Sequence, residues 1–271
     1  MNIYVGMLAY NSVPLIEYAI KSVAPYVDKV FVVDGGSDDH TVEVAKASAG
    51  NVIVVMGTYH KKDGSWNEQT QRQTYFDLMP CGQDNWCLVA DFDEVYSEEA
   101  IVRLVKYIKN ADPETRLISH GWLHFWRNIS QVRVDSHFGR VRDYGVIRLI
   151  EGVHQTSYCT VGDSVVPNFG GLRSPSRVVV EDVIGYHYGW ARPYHELREK
   201  AINYYNTGYY KLRENYPTVE EYLRWWEARE KEWYKHAELV RFFGEHPKVV
   251  APLIGTYLKE IDHESDSCEG S

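Results

Sequence analysis

One segment of the chain, residues 30–41, reads VFVVDGGSDDHT. Its first four residues are β-branched or aromatic and favour a buried strand, whereas the Asp-Gly-Gly-Ser sequence that follows favours a tight turn. A helical pattern begins at Thr41, directly after the turn. This order of strand, turn and helix is the βα unit from which α/β folds are built.

The segments on either side repeat the same order. Apolar runs predict strands at residues 3–9, 30–34, 52–56 and 86–90. Helical patterns fill most of the intervals, at residues 14–24, 41–49 and 66–79. Strands that alternate with helices form parallel sheets with right-handed crossovers. The sequence therefore predicts an α/β fold in which a mainly parallel, Rossmann-like sheet is flanked by helices.

The second half of the chain has a different pattern. Short strand-like pieces predict that the sheet becomes mixed, and they lie at residues 117–125, 145–150 and 177–183. After Pro193 the pattern is helical, and an apolar stripe suited to packing comprises Val219, Tyr222, Leu223, Trp226, Trp233, Ala237 and Val240. We therefore expect a main domain, a C-terminal helical region packed on it and an acidic tail, at residues 1–192, 193–262 and 263–271.

The composition argues against several classes of protein. With 44% hydrophobic and 25% charged residues, the chain is typical of a globular protein. Residues 1–5 enter a strand directly, so we expect no signal peptide, no membrane span and a cytoplasmic location. A net charge of -9 argues against nucleic acid as a partner. The four cysteines lack CxxC spacing, which argues against a zinc site, and the oligomeric state stays open.

The strand predicted at residues 86–90 runs directly into the acidic sequence Asp91-Phe92-Asp93-Glu94. Ligands of open α/β sheets bind beyond the carboxyl ends of the strands, where this sequence lies. Hard divalent cations such as Mg²⁺ and Mn²⁺ prefer carboxylate oxygens, so Asp91 and Asp93 are candidate metal ligands. The alternative is a helix cap, although Ser97 already offers that chemistry.

Asp34 and Gly35 occupy the same kind of position after the strand at residues 30–34. The carboxylate of Asp34 could accept hydrogen bonds from a base or ribose, and the glycine lets a ligand approach the backbone. The alternative is a tight turn that binds no ligand.

Taken together and in order, four motifs resemble the family-two glycosyltransferases with the GT-A fold. They are LAYNS at residues 8–12, DGGSDDHT at 34–41, QTQRQ at 69–73 and DFDE at 91–94. The resemblance implies that the main domain binds a nucleoside-diphosphate sugar and carries out catalysis. The donor-binding residues that it implies are Ala9, Tyr10, Asn11, Asp34, Gly35, Arg72, Asp91 and Phe92.

Residues 184–190, IGYHYGW, resemble the late histidine segment of the same family. This likeness implies that His187 completes a site for Mn²⁺ or Mg²⁺ with Asp91 and Asp93. Without the upstream acidic motif, a histidine between two tyrosines would be interpreted as a core residue.

The segment that would supply the catalytic base departs from the family pattern. Residues 148–155, RLIEGVHQ, are similar to a segment that in many relatives ends in His-Glu, and here the last position is Gln155. A glutamine cannot deprotonate an acceptor hydroxyl. Either another carboxylate serves, with Glu151, Glu181 and Asp182 as candidates, or the enzyme retains the anomeric configuration.

The expected function is transfer of a sugar to a hydroxyl of a glycan, glycolipid or small molecule, with inversion if a carboxylate base is present. A sugar-phosphate nucleotidyltransferase is the nearest alternative, but residues 8–13 lack the glycine-rich phosphate loop it needs. A non-catalytic sugar-binding module is another alternative, which Gln155 favours and the paired Asp91 and Asp93 oppose. A Rossmann dehydrogenase would need a GxGxxG sequence after the first strand.

Overall fold

The computed structural model describes residues 1–58, 68–134, 145–150, 158–161, 164–167, 176–192, 194–206, 212–236, 238–254 and 256. The strands are β1 (Asn2–Ala9), β2 (Lys29–Asp34), β3 (Val52–Met56), β4 (Asn85–Asp91), β5 (Glu94–Tyr96), β6 (Thr115–Trp126), β7 (Gln131–Arg133), β8 (Val146–Arg148), β9 (Tyr158–Val161), β10 (Ser164–Pro167), β11 (Ser176–Trp190) and β12 (Leu239–Arg241). The helices are α1 (Leu15–Val23), α2 (Thr41–Ser48), α3 (Glu68–Leu78), α4 (Glu98–Lys109), α5 (Tyr194–Asn206), α6 (Leu212–Asn215), α7 (Val219–His236) and α8 (Ala251–Ile254).

Among the described residues, ten strands form a mixed sheet at the centre of the protein. Its main path runs β12-β7-β6-β8-β4-β1-β2-β3, and β11 lies beside β6 and β5. Strands β4, β1, β2 and β3 are parallel, whereas β8 is antiparallel to both β4 and β6. The carboxyl ends of β1, β2 and β4 therefore meet at one edge of the sheet.

Helices cover both faces of this sheet. Alternate residues of β1 point to opposite faces, so Ile3, Val5 and Met7 join the core formed with α1, α2 and α4. On the other face, Tyr4 packs with Tyr75 of α3. The predicted α/β architecture is confirmed, and the predicted elements of residues 1–91 match the observed ones closely. No helix in the described ranges is both long and apolar enough to cross a membrane.

Helix α4 begins with the cap that its sequence predicts. The Ser97 hydroxyl oxygen accepts a hydrogen bond of 3.2 Å from the Ala100 amide, and Glu98 and Glu99 occupy the first turn. Carboxylates at that position interact favourably with the helix dipole. Because Ser97 caps the helix, Asp93 is not needed for that purpose.

Replacing Ser97 by alanine should lower the free energy of unfolding by about 1 kcal/mol, since one amide of the first turn then loses its side-chain acceptor. Urea denaturation monitored by circular dichroism measures this change. An unchanged unfolding midpoint would contradict the capping role.

Strand β11 is much longer than the predicted strand at residues 177–183. It runs from Ser176 to Trp190 and pairs with β6 along its length, with a register shift between Val180 and Ile184. The shift accommodates Glu181 and Asp182, whose exposed side chains interrupt the apolar pattern. As a result, His187 lies in the sheet, in register with His124 of β6.

The C-terminal region is helical only in part. The predicted packing stripe is confirmed at Val219, Tyr222, Leu223 and Trp226 of α7, which pack against α5. The Trp233 side chain and Ala237 lie outside the described residues. The helical prediction is wrong at Val240, which belongs to β12, pairs with β7 and is 51% exposed. The backbone N–H and C=O groups of residues 239–241 find their hydrogen-bond partners in β7 and not within a helix.

Candidate active site

The turn after β2 is organised by the carboxylate of Asp34, which is fully buried. Asp34 Oδ1 accepts hydrogen bonds of 2.9 Å from the amides of Gly36 and Ser37, and Oδ2 accepts one of 2.6 Å from the Ser37 hydroxyl. Gly36 has a φ of 94°, which favours glycine. Asp34 therefore fixes the shape of its own turn, and its two oxygens retain lone pairs for a further donor.

This turn is tied to the end of β1. The Gly35 amide donates to the carbonyl of Ala9 at 2.8 Å. The Asn11 side chain donates to Asp38 Oδ1 at 2.7 Å and accepts from the Asp38 amide at 3.0 Å, while the Asn11 backbone has a φ of 47°. Tyr10, one residue earlier, lies near Asp34 and Asp38, although burial is the main cause that raises its pKa. The structure therefore brings the five predicted nucleoside-binding residues of these two loops together.

Arg72 of α3 links the opposite face of the sheet to the acidic motif. Its guanidinium is buried and donates to Glu68 Oε1 at 2.6 Å and to Asp91 Oδ1 at 2.9 Å. The Tyr75 hydroxyl lies 3.4 Å from a third nitrogen. Arg72 thus holds Asp91 at the strand end, and its predicted contact with the donor stays a prediction.

Asp93 is almost completely buried, at 4% exposure, and within the motif only Glu94 is more buried. Its Oδ1 lies 3.5 Å from His187 Nε2, and its Oδ2 lies 3.7 Å from Arg192 Nη2. The Tyr188 amide donates to the Asp93 carbonyl at 2.9 Å, which anchors the motif to β11. Of the three predicted metal ligands, Asp93 and His187 face each other, whereas Asp91 pairs with Arg72.

Gly189 leaves the space that these two side chains need. A Cβ at this position would come within 2.6 Å of His187 Nε2 and closer still to Asp93 Oδ2. Separations below 3.0 Å are essentially never seen for a real Cβ. The glycine is therefore needed here because the Asp93 and His187 side chains approach its backbone closely.

Two basic residues that the sequence analysis did not assign line the same site. Arg192 lies over the Phe92 ring, 5.4 Å from its centroid. The ammonium of Lys200 in α5 donates to the Gly189 carbonyl at 3.3 Å and lies 4.7 Å from the Trp190 ring centroid. Burial lowers the pKa of Lys200 to about 8, although Asp93 and Asp91 oppose that change. In the sequence, the one feature that could have indicated a role for Arg192 and Lys200 is their position shortly after the IGYHYGW segment.

Two of the residues present, Asp93 and His187, fit a divalent cation. Within the described ranges, no three His, Cys, Asp or Glu side chains converge as a complete metal site. Mg²⁺ typically takes only one or two protein ligands, with substrate phosphates and water in the other positions. Two such ligands at right angles lie about 3 Å apart, close to the 3.5 Å between His187 Nε2 and Asp93 Oδ1. These two side chains are therefore the pair that could hold the cation.

Two of the candidate bases, Glu181 and Asp182, are not brought to this site. Asp182 Oδ1 accepts a hydrogen bond of 2.9 Å from the Tyr107 hydroxyl on α4, and Glu181 is exposed beside it. Five residues of extended strand separate Asp182 from His187, which corresponds to about 16 Å. Glu151 and Gln155 lie outside the described residues. The assignment of Glu181 or Asp182 as the base thus gains no support from their positions.

Solved structures to which this chain is similar include TarS of S. aureus, at 15% identity and a TM-score of 0.49 over 76% of this chain and 40% of that one. This chain thus spans less than half the length of that structure. A second structure, of TarS residues 1–349, matches at 12% identity and a TM-score of 0.46, over 79% of this chain and 74% of that one. Glucosyl-3-phosphoglycerate synthase from Mycobacterium tuberculosis, in complex with Mn²⁺, uridine-diphosphate and glucosyl-3-phosphoglycerate, matches at 17% identity and a TM-score of 0.47, over 76% of this chain and 79% of that one.

No curated protein sequence matches the chain significantly. Residues 4–159, however, match the family model described as glycosyl transferase family 2. That range is more than half of the 271 residues and contains all four motifs from LAYNS to DFDE. The chain therefore belongs to glycosyl transferase family 2.

Proposed function

We propose that this chain is a metal-dependent glycosyltransferase that moves a sugar from a nucleoside-diphosphate sugar to an acceptor hydroxyl. The observation that carries the proposal is the buried pair Asp93 and His187, with Arg192 and Lys200 beside it. A carboxylate and an imidazole suit a divalent cation, and the two basic side chains suit the phosphates that such a cation binds. Family membership supplies the reaction class.

The guanidinium of Arg192 supports an anionic ligand. Its Nε and Nη2 atoms are buried and have no hydrogen-bond partner among the described residues. Its ion pairs are long, at 3.7 Å to Asp93 Oδ2 and 4.0 Å to Glu196 Oε2. Buried donors without acceptors are costly, and a diphosphate would provide oxygen atoms for them. Lys200 is close enough to Asp93 and Arg192 for their charges to affect its pKa.

Each group of residues then has a distinct task. The tied loops that contain Ala9, Asn11 and Asp34 would hold the nucleoside, as the family resemblance implies. Arg192 and Lys200 would neutralise the charge that develops on the departing diphosphate. Mn²⁺ or Mg²⁺ held by Asp93 and His187 would supply Lewis-acid chemistry to the same oxygens.

The acceptor side of the reaction needs a base and a hydroxyl. We assign the base to Glu151, since Glu181 and Asp182 lie along the strand away from His187 and Gln155 cannot accept a proton. A carboxylate base would make the transfer inverting. The proposed acceptor is a hydroxyl of a glycan, a glycolipid or a small molecule.

Two features of organisation belong to the same proposal. Residues 1–192 would form the donor-binding unit, and the region 193–262 would complete it, because Lys200 of α5 reaches Gly189. We also propose a cytoplasmic location, because the composition is that of a globular protein and the proposed nucleotide-sugar donor would be available there.

The proposed function predicts that nucleoside diphosphate binds at least about 10-fold more tightly with Mn²⁺ than with a chelator, because Asp93 and His187 would hold a cation whose charge would attract the diphosphate. Isothermal titration calorimetry with a panel of nucleoside diphosphates measures the difference. Release of nucleoside diphosphate from a donor panel then tests turnover. Equal affinity with and without metal across the whole panel would refute the site.

A further inference from the structure

A second buried histidine lies directly behind His187. The two Nδ1 atoms of His124 and His187 are 2.9 Å apart, and their rings are close to perpendicular at 78°. His124 is 5% exposed and His187 is 9% exposed. Strands β6 and β11 place them in register, so the contact follows from strand pairing and not from a mobile loop.

The contact fixes how protons are shared. Two Nδ1 atoms at 2.9 Å form a hydrogen bond only if one of them carries a proton and the other presents a lone pair. If His187 is the donor and is neutral, its Nε2 carries a lone pair that faces Asp93. If His124 is the donor, a neutral His187 carries its proton on Nε2, and a cation cannot bind there.

The distance on the other side of the ring favours the first arrangement. His187 Nε2 and Asp93 Oδ1 lie 3.5 Å apart, beyond the usual range of about 2.7 to 3.2 Å for an N–H···O hydrogen bond. Gly189 has no side chain to come between the two groups, since a Cβ there would lie 2.6 Å from His187 Nε2 and closer still to Asp93 Oδ2. A ligating histidine usually donates its second N–H to a fixed acceptor, and that acceptor sets the tautomer and the orientation of the ring.

We propose that His124 is a positioning residue that accepts the Nδ1 proton of His187 and so presents the Nε2 lone pair of His187 to the cation beside Asp93. This inference rests on the proposed function, because it concerns the same cation. It adds a residue that none of the four sequence motifs contains. His124 itself does not touch the cation or the donor in this arrangement.

The wild-type protein provides the first test. Nitrogen-15 NMR of histidine-labelled protein with Mg²⁺ and nucleoside diphosphate reports which nitrogen of each ring carries the proton. We expect His187 to be protonated at Nδ1 and not at Nε2, and His124 Nδ1 to be an acceptor. Protonation of His187 at Nε2 in the metal-bound state would overturn the proposal without any variant.

Two variants provide the second test. His124→Phe keeps a ring but removes the acceptor, and we expect it to weaken Mn²⁺ binding at least about 10-fold, the effect typical of losing such a partner. His124→Asn retains a side-chain oxygen that can accept the proton, and we expect affinity within about 3-fold of wild type. Mn²⁺ affinity is measured by electron paramagnetic resonance of the free ion, with melting temperature recorded for each protein.

A matched control is available on the same strand. His120 is also fully buried, but its Nε2 lies 3.1 Å from the Tyr96 hydroxyl, and its Nδ1 lies 3.1 Å from the Gly121 carbonyl. We expect His120→Phe to lower the melting temperature and to leave Mn²⁺ affinity unchanged. Equal weakening by both substitutions would overturn the specific role of His124.

The two proposals fail in different ways. If wild type binds Mn²⁺ and folded His124→Phe binds it equally well, only the positioning role is lost. If wild type binds no divalent cation with any nucleotide, both proposals are lost. If His124→Phe does not fold, the tautomer of wild-type His187 and the affinity of His124→Asn still decide the question.

Discussion

Asp93→Asn is expected to lower the release of nucleoside diphosphate from the donor sugar by about 100-fold or more, which corresponds to about 2.7 kcal/mol of transition-state stabilisation. The substitution keeps the shape of a buried side chain but removes the only charge on it. Its Oδ1 faces His187 and its Oδ2 faces Arg192, so both proposed interactions lose their anionic partner. Steady-state assays with and without Mn²⁺ measure the loss.

A second measurement on this variant does not depend on metal. Asp93 raises the pKa of Lys200, which burial lowers to about 8. Removal of the carboxylate charge should therefore lower the pKa of Lys200 further. NMR titration of the labelled lysine follows the change. This result separates loss of local charge from general disruption of the site.

The matched control is Asp77→Asn. Asp77 lies on the exposed face of α3, where it accepts a hydrogen bond from Gln73. The same chemical change at that position should leave turnover and metal dependence within about 2-fold of wild type. If Asp93→Asn retains Mn²⁺-dependent turnover at the level of this control, Asp93 is not a cation ligand.

The sequence predicted which residues meet beyond the ends of β1, β2 and β4, because the signals for those residues are local. Asp34 and Asp91 each follow an apolar strand, and parallel strands bring such ends together. The register places Ala9 opposite Asp34 and Leu8 opposite Asp91. Hydrophobic periodicity and the order of elements are therefore enough to predict that these positions share one edge of the sheet.

The remainder of the site depends on long-range pairing that periodicity does not encode. His124 and His187 are 63 residues apart, and they meet because β11 extends past a register shift. Lys200 reaches Gly189 only because α5 folds back after β11. The role of Arg72 as a partner of Asp91 likewise depends on how α3 crosses the sheet. Each of these contacts is set by tertiary packing, which overrides local pattern.

Gly189→Ala is expected to abolish the Mn²⁺ dependence of nucleotide binding through a single added methyl group. The new Cβ would lie 2.6 Å from His187 Nε2 and closer to Asp93 Oδ2. Both side chains are almost completely buried, so neither can turn into solvent to relieve the contact. They must move apart, which separates the two proposed ligands. Overpacking of this kind also costs about 1 to 3 kcal/mol of stability.

Calorimetric titration with nucleoside diphosphate, in Mn²⁺ and in chelator, measures the effect on Gly189→Ala. Gly50→Ala is the matched control, since a Cβ there meets no atom within 4 Å and α2 has already ended. That variant should keep the metal dependence of wild type. If folded Gly189→Ala binds nucleotide with an equally large gain from Mn²⁺, the cation does not lie between Asp93 and His187. The gain from Mn²⁺ would then have to come from other ligands. Asp91, whose carboxylate pairs with Arg72, would be the next ligand to test.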